Sequence, residues 1–448
     1  MTHADAVVVG AGLSGLTAAI ALAEAGATVH VLATGHAATH WSGGGLDIAG
    51  PPGAATPRAG LERLSGIAGH PCAVLAADVP AALAWLQETL SAEGLTYTGD
   101  LDTPIQAVPT AIGGTRRAAI LPAAQAPARD AWAPDERLVI CGLAGFKDFW
   151  PAAVAASLRR PEVWGDSGRP DRVDAVTVAL PGLAGRHNLN ALELARRFDE
   201  PAWRDAALDA IARAIDAGGM GRGPGRIALP AVLGLEDHPT VFEAARRRLP
   251  LEPFEVPLVP PSIPGIRLFQ ALRAALRRNR GRIQLGEAVI RVDVERGRVV
   301  AVATAAAVRE FRVRTDALVL ATGGIAGGGL VAEASGQIDE AVLHLPVDAP
   351  PVDQWLNRDP FGPAGHPLEA AGLRTDDQLR PVRPGSHEAL LENVRIVGSL
   401  LAGQHYLRER CGDGVAFTSG RRAAASLRPT GPGATVGPAS GQHEGGQR

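Results

Sequence analysis

The residues with the most chemical content form a glycine turn near the start of the chain. Gly10-Ala11-Gly12-Leu13-Ser14-Gly15 reads G-x-G-x-x-G, directly after an apolar run at 6–9 and directly before an Ala/Leu-rich stretch at 14–25. In that setting Gly10 permits a tight turn, Gly12 lets a pyrophosphate approach the backbone, and Gly15 lets helix and strand pack closely. Free N–H groups and a partial charge of about +0.5 at the helix start favour a phosphate there. The competing reading is a packing turn without a ligand, and the position between strand and helix favours a nucleotide. After the next apolar run, 28–32, a dinucleotide site would carry an acidic residue for the ribose, but the chain has Ala33-Thr34-Gly35. Thr34 offers one hydrogen bond in place of a bidentate carboxylate, so the adenosine half of a dinucleotide has a weak site.

Three later segments extend the pattern. Ser42-Gly43-Gly44-Gly45 leaves room for a flat ring against backbone, with a flexible turn as the plain alternative. The run Asp316 to Gly324 (DALVLATGG), with Thr322 and Gly323 at its end, resembles the second nucleotide-contacting strand of two-dinucleotide-domain flavoproteins. Asn393 to Gly398 and Cys411 to Val415 (NVRIVG and CGDGV) resemble their C-terminal flavin segment. That resemblance implies contacts from Gly398, Gly412, Gly414 and Val415, with a helix from Gly414 onward pointing N–H groups at the pyrimidine end of the flavin, where they would stabilise the anionic reduced ring.

The resemblance narrows further. Gly145-Phe146-Lys147-Asp148-Phe149, the segment Pro260-Pro261-Ser262-Ile263-Pro264-Gly265-Ile266-Arg267-Leu268, and Arg410-Cys411-Gly412-Asp413-Gly414-Val415 are similar to the B-subunit family of anaerobic glycerol-3-phosphate dehydrogenases, from about residue 5 to 427. The family resemblance implies a flavin, FMN in this polypeptide with FAD permitted by the glycine fingerprint. It also implies a catalytic flavoprotein (the A subunit), an iron–sulfur, membrane-anchoring partner (the C subunit), and electrons passing from glycerol 3-phosphate to quinone. The expected location is the cytoplasm, peripheral to the inner face of the membrane through a partner. His36 and His40 precede the glycine run at spacings unlike those of covalent flavin attachment, so the flavin is expected to be non-covalent.

Residue roles beyond the glycines are open. Lys147, in a Phe-flanked loop, and Arg267, after a proline-rich segment, are weak catalytic candidates that could present a cation to a phosphate or to the flavin, against a plain surface or ion-paired role. Phe146 and Phe149 read as core. His187, His238, His344, His366 and His405 read as isolated.

These residues must be positioned by an α/β framework. The periodicity predicts a strand at 6–9, a helix at 14–25 and a strand at 28–32, a βαβ unit that begins a Rossmann-like flavin domain with a parallel sheet and a β-meander crossover. An inserted α/β cap is expected at 51–254, with helices at 79–91, 151–159 and 240–248, a helical stretch at 192–217 broken at Pro201, and strands at 137–141 and 226–229. The flavin domain, begun at 1–50, resumes over 255–428: a helix at 266–279, three or four short strands at 282–314, strands at 316–321 and 394–397, and a helix at 414–427. Residues 429–448 are Gly/Pro/Ser-rich and expected to be disordered.

Composition sets outer limits. A 448-residue chain buries more than one core. With 44 basic and 47 acidic residues, a net charge of -3, it has no electrostatic signature of a nucleic-acid binder. Its longest apolar stretch, 16–23, is too short to span a bilayer. Cys72, Cys141 and Cys411 form no C-x-x-C pair, so no metal or iron–sulfur cage is expected. Two other functions compete with that of a dehydrogenase component. A self-sufficient fumarate-reductase-like flavoprotein acting on a small acid or ketone needs an Arg/His set at the flavin, which the sequence does not display. A scaffold with a decayed flavin site is favoured by the missing ribose acid and opposed by the intact glycines.

Overall fold

The structure is a computed structural model and describes residues 2–305, 310–359, 362 and 365–427. The expectation of disorder at 429–448 lies outside these residues.

The chain opens as a βαβ unit. Strand β1 (Thr2–Val9) ends in buried Val7, Val8 and Val9, helix α1 (Leu13–Glu24) follows the glycine turn, and β2 (Val29–Ala33) returns parallel, with Ala6 opposite Val29 and Val9 opposite Leu32. Parallel neighbours need a crossover, and α1 supplies it. No charged residue precedes Glu24 in α1, and the helix is buried on almost every side, as an apolar helix must be in water.

Helices α2 (Pro57–Ser65) and α3 (Val79–Ser91) each begin with proline in the first turn, where its missing N–H breaks no intrahelical bond. Thr56 caps α2, accepting from Ala59 N–H at 3.2 Å. Their faces, with Leu61, Leu64, Leu83, Leu86 and Leu90, pack into the same core as β1 and β2. Residues 57–105, assigned by the sequence to the insertion, therefore pack with the first unit. An amphipathic stretch shows that one face is buried but not which sheet buries it.

The second unit has its own core, reaching from Ala107 to Ile266. It contains β3 (Arg137–Leu143), α4 (Pro151–Leu158), β4 (Arg172–Val178), α5 (Ala191–Phe198), α6 (Pro201–Ala217), β5 (Gly225–Pro230), α7 (His238–Arg248) and β6 (Glu252–Val256). The four strands form a parallel sheet in the order β6-β5-β3-β4.

Helix α8 (Ile263–Arg278) returns the chain to the first unit: Ile263 and Ile266 belong to the second core, while Leu268, Phe269, Leu272 and Leu276 belong to the first. Strand β7 (Arg282–Leu285) pairs parallel with β2. Strands β8 (Val289–Glu295) and β9 (Arg298–Ala305) form a hairpin about Arg296 and Gly297, both at positive φ. Then come β10 (Glu310–Leu320), β11 (Val394–Ile396) and α9 (Gly412–Ser426). The sheet order is β7-β2-β1-β10-β9-β8, with β11 also on β10.

The sequence divides β10 in two, ending the meander at 314 and starting a new strand at 316. It is instead one continuous strand that changes partner. Glu310 to Arg314 pair antiparallel with β9, Leu318 to Leu320 pair parallel with β11, and the opposite edge runs parallel to β1 from Val313 to Leu320. Arg314 and Asp316 are exposed while Val313, Thr315 and Ala317, which alternate with them, are buried. The two-residue alternation thus passes through the charges that look like a break.

Candidate functional site

Strand β1 delivers Gly10 at φ +113°, a conformation that side chains resist. A Cβ on Gly10 would lie 2.2 Å from the Ala321 carbonyl oxygen, and one on Gly15 would lie 2.1 Å from the Gly10 carbonyl oxygen. The first and third glycines are therefore required by the contacts of β1 with β10 and of α1 with β1. Gly12 meets only the Ala37 methyl, 3.4 Å from where its Cβ would be. Leu13 N–H donates to Thr39 Oγ1 at 2.9 Å, while the N–H groups of Gly12, Ser14 and Gly15 meet no acceptor among the described residues. Unpaired donors converging at a helix start fit a phosphate.

The second glycine run is a fixed turn. Gly43 O accepts from Gln125 Nε2 at 2.8 Å and Gly44 O from the Tyr97 hydroxyl at 2.5 Å. Gly44 sits at φ +88°, and a Cβ there would meet Pro264 Cβ at 2.7 Å. Ser42 Oγ donates to Thr39 O at 3.0 Å. With the Gly43 and Gly44 carbonyls held, the N–H groups of Gly43 and Gly45 meet no acceptor among the described residues.

At the end of β10, Gly323 takes φ +84°, and the buried Thr322 Oγ1 has no hydrogen-bond partner among the described residues. After β11, Gly398 takes φ +71° and packs where a Cβ would lie 2.5 Å from Ser14 Oγ, which brings this turn against the start of α1. These positive-φ glycines, the unpaired N–H groups and the orphaned Thr322 hydroxyl together make a cradle that fits a flavin nucleotide.

The expected role for the start of α9 needs correction. The helix begins at Gly412, not Gly414, and the N–H groups of Asp413 and Gly414 both donate to Asp47 O at 3.1 Å, while Val415 N–H bonds Cys411 O. Only the Gly412 N–H remains unpaired there among the described residues. Asp47 N–H in turn donates to Asp413 Oδ2 at 2.8 Å. This reciprocal pair joins the glycine run to the C-terminal helix across the chain.

Around it lies a charged cluster that the sequence did not reveal. Asp47 pairs with Arg116 at 2.9 Å and with Arg410 at 3.5 Å. Burial, and next the Asp47 charge, push the Asp413 carboxyl up to about 7. Burial pushes the Arg410 guanidinium below its ordinary range. The residues come from positions 47, 97, 116, 410 and 413, so no local spacing could have linked them. The one local signal was Asp413 inside a glycine-rich helix start.

Other candidates lie elsewhere. Lys147 is exposed in the loop between β3 and α4, and its carbonyl accepts from Trp150 Nε1 at 2.9 Å; none of its contacts is with the glycine turns. Arg267 is buried and fully engaged, bonding Glu255 Oε2 at 2.6 Å and Oε1 at 3.1 Å and Gly234 O at 2.9 Å. It therefore has no charge to offer a phosphate. His238, read as isolated, stands 3.4 Å from Arg267 Nη1 and is driven down to about 4 by burial and by that arginine. Phe146 and Phe149 are buried in the second core. Thr34 is exposed beyond β2, and the rings of His36 and His40 pack 4.4 Å apart beside Phe269. No helix among the described residues is long and apolar enough to cross a membrane.

Comparison with known proteins bears on this cradle directly. A family model described as FAD binding domain matches residues 5–415. The B subunit of anaerobic glycerol-3-phosphate dehydrogenase from Yersinia enterocolitica is 30% identical over 429 residues, covering 93% of this chain and 96% of its own length. The Vibrio cholerae protein of the same name is 29% identical over 443 residues, covering 96% and 98%. Among solved structures, a 3-ketosteroid Δ1-dehydrogenase from Sterolibacterium denitrificans aligns over 96% of this chain and all of its own, at 12% identity and a TM-score of 0.42. A quinol fumarate reductase chain from E. coli aligns over 97% and 72%, at 11% identity and a TM-score of 0.38. The chain binds flavin in a mixed α/β fold and belongs to the FAD-binding-domain flavoproteins and, within them, to the B-subunit family of anaerobic glycerol-3-phosphate dehydrogenase, a flavin-dependent dehydrogenase built of several polypeptides.

Proposed function

We propose that this chain is the flavin-bearing B component of a complex that oxidises glycerol 3-phosphate to dihydroxyacetone phosphate. In this reading it works with a second flavoprotein, the catalytic A component, and passes electrons through an iron–sulfur C component that holds the complex at the cytoplasmic face of the membrane and delivers them to quinone. The observation that carries it is the cradle of unpaired N–H groups at Gly12, Ser14 and Gly15, closed by Gly398 and Thr322. The unpaired N–H groups at the start of α1 would hold the flavin phosphate, and Thr322, Gly323 and the Gly43 and Gly45 N–H groups would offer further hydrogen bonds to the flavin. When bound, the flavin supplies the two-electron acceptor. The protein's part would be to fix the ring against backbone, keep water from it, and hold a carboxyl of raised pKa, Asp413, beside Asp47 at the end of the glycine run.

The cofactor reading is FMN, held non-covalently. It rests on the missing carboxylate at Thr34 and on the Thr39 hydroxyl that already occupies one first-turn N–H. FAD is the second reading, favoured by the family model across residues 5–415. Acid precipitation releases a non-covalent flavin, and its mass separates FMN from FAD. A protein that purifies colourless and takes up neither flavin would overturn the whole reading, as would a reconstituted complex with no glycerol 3-phosphate oxidation in a dye-acceptor assay.

Gly15→Ala is expected to remove the bound flavin. Its methyl would press on the Gly10 carbonyl, at about 1–3 kcal/mol of overpacking, and would displace the helix start that holds the phosphate. Flavin absorbance per mole of purified protein checks this, and a variant with full flavin content would refute the assignment of the turn.

A further inference from the structure

We infer that Arg116 and Arg410 form a phosphate-monoester site beside the second glycine run, so that this chain itself holds the phosphate end of the substrate. The inference rests on the proposed function above and adds to it a place on this polypeptide where substrate sits.

Two guanidiniums share one carboxylate. Arg116 gives a single hydrogen bond, Nη2 to Asp47 Oδ1 at 2.9 Å, and Arg410 only a loose pairing of Nη2 with Asp47 Oδ2 at 3.5 Å. The other donors of both side chains find no partner among the described residues. Each side chain keeps roughly a quarter of its surface open, Arg116 at 24% and Arg410 at 23%. Asp413, whose carboxyl burial pushes up to about 7, stands next to the pair, so below that pH Asp47 is the one ionised carboxylate that the two guanidiniums share. A planar donor fork is the group that matches phosphate oxygens in pairs.

The backbone agrees. Arg410 closes the short helix Tyr406–Glu409 in the left-handed region, at φ 48° and ψ 48°. A glycine serves that cap without strain, whereas arginine there carries strain of the kind that persists where a side chain is needed. Arg116 lies beside Gly43 and Gly45 and Arg410 beside Gly50, and both reach Asp47, which follows the glycine run by two residues. Neither touches the Gly10 to Gly15 turn, which has its own phosphate donors.

The phosphate of a polyol phosphate and the phosphate of the flavin share this chemistry, and the test separates them. Flavin-loaded protein is titrated by calorimetry with glycerol 3-phosphate, with inorganic phosphate and with glycerol. Binding of the two phosphates but not of glycerol is expected. Arg410→Met and Arg116→Met should each weaken phosphate binding by about tenfold or more, the loss of charged hydrogen bonds, with flavin content and circular dichroism unchanged. Unchanged phosphate affinity in both variants would overturn the inference, as would wild-type protein that binds no phosphate. Loss of flavin from the variants would also overturn it, assigning the arginines to the cofactor. A complex that oxidises glycerol 3-phosphate while this chain, isolated and flavin-loaded, binds no phosphate would sink this site and leave the proposed function standing.

Discussion

Arg267→Met is expected to destabilise the fold by about 3–5 kcal/mol, the usual consequence of removing one partner from a buried ion pair. The Glu255 side chain is 1% exposed. Although burial raises its pKa, the Arg267 charge holds it below the ordinary carboxylate range, so it is charged in the folded protein. Without Arg267 it keeps the Leu233 N–H at 2.9 Å and a histidine 3.9 Å away that burial keeps neutral. Gly234 O loses its donors as well. Urea denaturation of wild type, Arg267→Met and the double variant Arg267→Met/Glu255→Met is the measurement. The double variant should regain most of the loss, because two apolar side chains leave no charge unpaired. A single variant within about 1 kcal/mol of wild type, the range of an exposed pair, would show that the pair is not buried in solution. The location gives the pair its importance: Arg267 lies on α8, which belongs to both cores, and Glu255 lies on β6 of the second unit. The pair pins one unit to the other.

Asp413→Asn should reshape the pH dependence of stability. The folded-state pKa of Asp413, about 7, lies above its ordinary 3.8. Between those values the folded protein binds more protons than the unfolded chain. The contribution is therefore fully present below about pH 4 and is lost as the pH rises through 7, by up to about 1.4 kcal/mol per pH unit. The groups facing Asp413 are Asp47, whose charge raises it, Arg116, whose charge lowers it, and Tyr97, whose own hydroxyl pKa is raised by burial and by this carboxyl; Arg410 faces it through its pairing with Asp47. Asparagine keeps an oxygen for the Asp47 N–H and removes the titration. In flavin-free protein the stability of Asp413→Asn relative to wild type should rise steadily from pH 5 to pH 7. A difference that stays constant over that range would remove Asp413 as a proton-holding group.

The glycine turn, α1 and the two apolar strands that end in glycine were readable because each carries a local constraint: a positive φ, a backbone contact too close for a Cβ, or an apolar run with a sharp stop. The break at Pro201 was legible for the same reason. Positions that depend on distant partners were not. Arg267 reads as a free cation until Glu255 is folded against it. Asp47 and Asp413 lie 366 residues apart in sequence and meet only when α9 docks under the glycine run. Asp316 looks like the start of a strand, yet β10 passes through it because only one face of the sheet is wet there. The free N–H groups expected at Gly414 were absent for a related reason, since the Asp47 carbonyl from the other end of the chain reaches them first.

The continuous strand β10 also governs the order in which the protein can assemble. Thr2 pairs with Val313, so β1 waits for a central neighbour that leaves the ribosome about 310 residues later, on the order of 15–60 s at 5–20 residues per second. During that interval β1 and β2 form an unfinished sheet with an open apolar edge, while the second unit, whose four parallel strands all lie within residues 137–256, has every partner it needs. The nascent chain thus carries a completed domain between two halves of an incomplete one. Its yield in cells will be set by how well that waiting edge is shielded during translation.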